Sequence, residues 1–134
     1  MSARAYNIMD ELPAIFATVS GIEVADVEIG WRDPMGIEEG ELPRVLVFNP
    51  ETDEPEPPEF GLRFLEYSYT VVLVNDVDTD EASFQLCEEM ANALTAAALT
   101  NADTAYMNPG SIVIAEQTQR SIVGMVLVAR YEGL

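Results

Sequence analysis

The stretch from Leu62 to Asn75 constrains this chain more than any other. Leu65, Tyr67, Tyr69, Val71 and Leu73 alternate onto one face. Leu62, Phe64, Glu66, Ser68, Thr70, Val72 and Val74 fall on the other, which is mixed over its first half and apolar at its end. Period-2 alternation in β-branched and aromatic residues specifies a strand. One this long, apolar on both faces toward its end, is central to a sheet or runs beyond its own subunit's core.

The rest of the chain supplies the sheet's partners. Leu12, Ile15, Phe16 and Val19 follow the spacing of a core-facing helical stripe, with Asp10 as N-cap, Pro13 in the first turn and Gly21 as the stop. The residues before Asp10 either extend this helix or form an arm. Val27, Ile29 and Trp31 alternate with Glu28 and Gly30, which predicts a half-buried strand ended by Asp33-Pro34-Met35-Gly36. Glu38 to Glu41 reads as a solvated loop, and Leu42 to Asn49 as a second strand with Pro43 near its start. A second helix is expected over about Glu81 to Leu99, with Phe84, Cys87, Ala91, Leu94 and Ala98 as its stripe, widened by Leu86, Met90, Ala93 and Ala97. Asp78 and Glu81 approximate a capping box. Asn101 to Gly110 reads as a loop, followed by closing strands at Ile112–Ala115 and Ile122–Tyr131. With 134 residues, no repeat and no dividing linker, residues 1–134 form one domain. The fold class is α+β: one mostly antiparallel sheet of about five strands, with helices packed on one face.

Charge decides which functions remain. The chain carries 24 Asp and Glu against 6 basic residues, a formal net charge of -18, and it has no histidine. The six bases are all arginines: Arg4, Arg32, Arg44, Arg63, Arg120 and Arg130. Without histidine there is no Ser-His-Asp triad and no imidazole metal ligand. Without lysine there is no Walker A loop and no Schiff-base chemistry. So acidic a chain repels nucleic acid. These absences weigh against an enzyme and leave binding, assembly or scaffolding. No stretch is apolar enough for a transmembrane helix and no signal peptide is evident, so cytosolic synthesis is the expectation.

The local candidates for chemistry are weak. Asp76, Asp78 and Asp80 have the spacing of a calcium loop, but the sixth position is Glu81 and the twelfth is Cys87, so capping explains them better and no metal is expected. Cys87 lies on an apolar stripe, with no histidine or lysine in the chain to activate it. Tyr67 and Tyr69 lack the basic neighbours of an RNA-binding sheet. No catalytic residue and no cofactor is assigned. Pro50 to Glu59 carries four prolines and five acids from Glu51 onward, with polyproline II character, and reads either as a flexible hairpin tip or as a projecting contact arm. Glu51, Asp53, Glu54, Glu56 and Glu59, with Phe60 as apolar anchor, are its candidate partner-interface residues.

The pattern of elements resembles the tail terminator proteins of long-tailed phages and tailed archaeal viruses. It is carried by Leu12-Pro13-Ala14-Ile15-Phe16, the strand Pro43-Arg44-Val45-Leu46-Val47-Phe48 and the acidic hairpin loop. The long strand from Phe64 to Val74, the single helix after it and the closing strand pair complete it. The likeness is one of pattern and size over nearly the whole chain, without a motif, so no binding residue carries over. It implies a structural virion protein: a homohexameric ring on the last ring of the tail-tube protein, ending tube growth and facing the head connector and neck proteins. DNA would pass through the lumen without specific binding, and no membrane is involved. Its place would be the head-proximal end of the tail. Head-tail joining or neck proteins, of similar size, and a small dimeric α+β ligand-binding domain are the alternatives. Zero lysine with abundant acid also suits a halophilic host, archaea included, or else a merely acidic protein from a GC-rich genome.

Overall fold

The computed structural model describes residues 4–48, 50–53, 65–76, 80–115 and 120–131. Two helices, α1 (Arg4–Phe16) and α2 (Asp80–Ala96), accompany six strands: β1 (Val27–Ile29), β2 (Arg44–Val47), β3 (Glu51–Asp53), β4 (Leu65–Asp76), β5 (Thr104–Ala115) and β6 (Arg120–Tyr131). They form one sheet in the order β1-β2-β4-β6-β5, with β3 also paired to β4. β1 and β2 are parallel and every other pair is antiparallel. The α+β class and the mostly antiparallel sheet are thus as the sequence indicates.

β4 is central, as its two-faced pattern requires. It pairs with β6 along its whole length, from Leu65 opposite Tyr131 to Asp76 opposite Arg120. Its other edge is shared by β2 and β3, which lie in line. Val47 is opposite Val71 and Glu51 opposite Ser68, so four steps on one side match three on the other and one residue is bulged out. The Phe48 N–H, donating to the Thr70 carbonyl at 2.9 Å, holds the ladder together at the join.

The alternation on β4 sorts two cores. Tyr67, Tyr69, Val71 and Leu73 join Val45 and Val47 of β2 and Val123, Met125, Leu127 and Ala129 of β6 beneath both helices. The helices contribute Ile8, Met9, Leu12 and Phe16 from α1, and Cys87, Met90 and Leu94 from α2. On the reverse face Leu46, Val72 and Val74 bury Ile37, with Leu42, Phe48 and Ile122 packed alongside. Ile37 reaches that face because the β1–β2 connection is a parallel crossover.

Five expectations change. α1 starts at Arg4, so Asp10 is mid-helix and Pro13 lies in the interior. The apolar spacing continues upstream through Ala5, Ile8 and Met9, all buried, and that burial outweighs the backbone bond Pro13 cannot make. α1 also ends at Phe16, short of the expected stop at Gly21, which at φ 95 instead closes the turns that follow. β1 stops at Ile29, because Gly30 at φ 107 turns the chain and carries Trp31 off the buried face. Glu51 to Asp53 form a strand, β3, where the sequence reads as loop. In α2 the buried side chains are Ser83, Cys87, Met90 and Leu94, while Phe84 is 42% exposed, so the stripe is rotated from its expected position. The expected loop at Asn101–Gly110 contains the first half of β5, whose turn-forming residues are absorbed by a register shift between Pro109 and Ile112. β5 is a sheet edge, where a proline is tolerated.

Candidate assembly surfaces

The most exposed large apolar side chain described is Trp31, at 74%. It stands at the β1 margin of the sheet, with the half-exposed Ile29 and Met35 nearby in sequence. Its backbone is fixed on both sides. The Gly30 N–H donates to the Val47 carbonyl at 2.8 Å. The Arg32 guanidinium forks onto Glu28 at 2.7 Å and Glu41 at 2.8 Å. Arg44 adds a 3.6 Å contact to Glu28 and donates to the Ala25 carbonyl at 2.7 Å. Glu41 also accepts from the Glu38 N–H at 3.0 Å, and Asp33 accepts from the Met35 N–H at 3.0 Å at the head of a short 3-10 turn. The Glu38 N–H and the Arg32 guanidinium hold the Glu41 carboxyl below its ordinary range. The same pairing, with Glu41 first and then Glu28, raises Arg32 further. The effect of this ion-pair network is to hold the corner in one shape, since solvent-screened pairs contribute little stability one by one.

A second surface lies at the opposite margin, on the sheet face away from the helices. Tyr106 of β5 and Val126 of β6 are each 51% exposed there. Register places Tyr106 opposite Val128, Asn108 opposite Val126, and Val126 opposite Thr70. Glu66 and Arg130 are cross-strand neighbours on this face. Apolar and short polar positions therefore alternate along β5 and β6 on this face.

The helical side differs. Glu81, Glu88 and Glu89 of α2 and Asp10 of α1 are exposed, so this side is acidic. Open depressions lie between the end of α1 and α2: one of about 340 Å³ lined by Ile15, Thr18, Ala93 and Ala97, and one of about 430 Å³ lined by Thr18, Ser20, Glu89 and Asn92. Both are open to solvent rather than enclosed, unlike the clefts that bury most of a small ligand. Cys87 is buried, and burial, with Glu88 nearby, pushes its thiol up to about 12, as expected of a small core residue. Among the described residues no group of His, Cys, Asp and Glu could hold a metal, and no helix is long and apolar enough to cross a membrane.

Of the sequence-predicted interface residues, Glu51 and Asp53 lie in β3, opposite Ser68 and Glu66. Glu54, Glu56, Glu59 and Phe60 lie outside the described residues, as does Asp78 of the proposed capping box. The sequence reading missed Trp31 and Tyr106 as surface groups. The signal for Trp31 was present: Gly30 precedes it and Asp33-Pro34 follows, so the alternation had no room to continue.

No protein-family model matches this sequence. No curated protein matches it either. The fold does match a solved structure, a chain of the virion of a native gene transfer agent particle. The match has a TM-score of 0.65 and covers 98% of this chain and 100% of that chain, at 11% identity. At that identity the likeness is one of fold, extending end to end.

Proposed function

We propose that this chain is a structural protein of a virion-type particle and, more specifically, a tail terminator: a ring-forming subunit that ends tube polymerisation and joins the tail to the head connector. One observation carries the reading. The fold matches, end to end over both chains, a component of a virion particle. The order of elements that resembles tail terminators is the order found: amphipathic helix, short strands, long central strand, one long helix, closing strand pair. In this reading the protein is not an enzyme. Its partners are other copies of itself, most simply six, the tail-tube protein and the connector or neck proteins. It sits at the head-proximal end of the tail, and its acidity lets DNA slide through the lumen without sticking.

The acidic stretch from Glu51 to Phe60 is then a contact arm. Its carboxylates Glu51, Asp53, Glu54, Glu56 and Glu59 meet arginines of a neighbour or a hydrated lumen, because they cannot be buried unpaired, and Phe60 is the anchor. Since β3 claims Glu51 to Asp53, the deletion that spares the sheet is Glu54 to Glu59. Complementation tests both statements. Particles made without the chain should have tails of irregular length and unjoined heads, and the deletion should reproduce part of that defect. Normal particles in the chain's absence would overturn the terminator reading. Normal particles with the deletion would remove the arm alone.

A further inference from the structure

We draw no further inference here: the strongest candidate, the exposed apolar corner around Trp31 at the β1 margin of the sheet, also carries the exposed acids Asp33 and Glu38, and nothing in the structure shows what covers it.

Discussion

The Tyr69 hydroxyl donates to the Ala5 carbonyl at 2.5 Å, tying the centre of the sheet to the first turn of α1 across 64 residues of sequence. Tyr69 is buried, and desolvation, with Tyr67 nearby, pushes its phenol well above the ordinary tyrosine value. Its ring fills the core under both helices, while the hydroxyl fixes where α1 begins to lie on the sheet. Beside it the Arg4 guanidinium stacks on the Tyr131 ring at 3.5 Å and donates to the Asn101 carbonyl at 3.3 Å.

Tyr69→Phe isolates that tie. The ring stays and the buried donor is lost, so the chain should be destabilised by about 1 kcal/mol, roughly the net value of one hydrogen bond. A denaturant melt reads it as a lower midpoint with an unchanged slope. Tyr106→Phe, at an exposed position, is the control and should leave the midpoint in place. Equal midpoints for the wild type and Tyr69→Phe would mean that α1 is held by apolar packing alone.

Ser83 and Ser121 make a different kind of buried contact. Their hydroxyls lie 2.9 Å apart, both side chains fully buried, joining α2 to β6. Ser121→Ala removes the partner of the Ser83 hydroxyl at a cost of about 1–3 kcal/mol, whereas replacing both serines removes that demand as well. The double variant should therefore be more stable than the sum of the single losses predicts, by about 1 kcal/mol. Additive losses in a double-mutant cycle would show that the Ser83 hydroxyl does not depend on Ser121.

The sheet was largely legible in the sequence, and the reasons are specific. Tyr67, Tyr69, Val71 and Leu73 bury because one face of β4 is apolar for its whole described length, and no local signal competes with that alternation. The misplacements came where two local signals disagreed. Pro13 argued for a helix start, yet the apolar spacing of Ala5, Ile8 and Met9 carried α1 past it. Phe84 outranked Ser83 in hydrophobicity, but Cys87, Met90 and Leu94 set the phase of α2 and place position 83 inward, where its hydroxyl meets Ser121. The surfaces at Trp31 and Tyr106 were hidden for a related reason. Hydrophobicity indicates burial in general, and it does not say whether this chain or another one supplies the cover.

Glu11 gives the α1 connection a pH dependence. Its carboxylate accepts from the Thr100 N–H at 2.7 Å, from the Asn101 N–H at 3.3 Å and from Asn101 Nδ2 at 3.1 Å. Partial desolvation pushes its pKa up, but these hydrogen bonds outweigh it and the net shift is downward from 4.5. A group whose folded pKa is depressed adds stability above its unfolded value, and that stability is lost as pH falls through the folded value. The loss belongs below pH 4.5. Glu11→Gln keeps an acceptor and removes the charge, so the wild type should exceed the variant in stability near neutrality and converge on it in acid. Parallel curves down to the acid limit would place the Glu11 contribution in geometry rather than charge.

Salt should stabilise the fold, and the competing terms can be compared. Screening weakens the Arg32 and Arg44 ion pairs, but those are partly exposed contacts that contribute little stability one by one. Screening also relieves the repulsion among 24 acids opposed by only 6 arginines, including Glu81, Glu88 and Glu89 along the outer side of α2. The second effect involves many more charges and extends over the whole surface, so it wins. The Debye length falls from about 10 Å at 0.1 M to about 3 Å at 1 M, and most of the gain should come over that range. Melting curves in sodium chloride should therefore rise through 0.1 to ~1 M and then flatten, while sodium sulfate at equal ionic strength adds the further gain of strengthened apolar burial. A melting temperature that is flat or falling in sodium chloride would show that acidic repulsion is not what limits this fold, and the case for adaptation to a saline host would go with it.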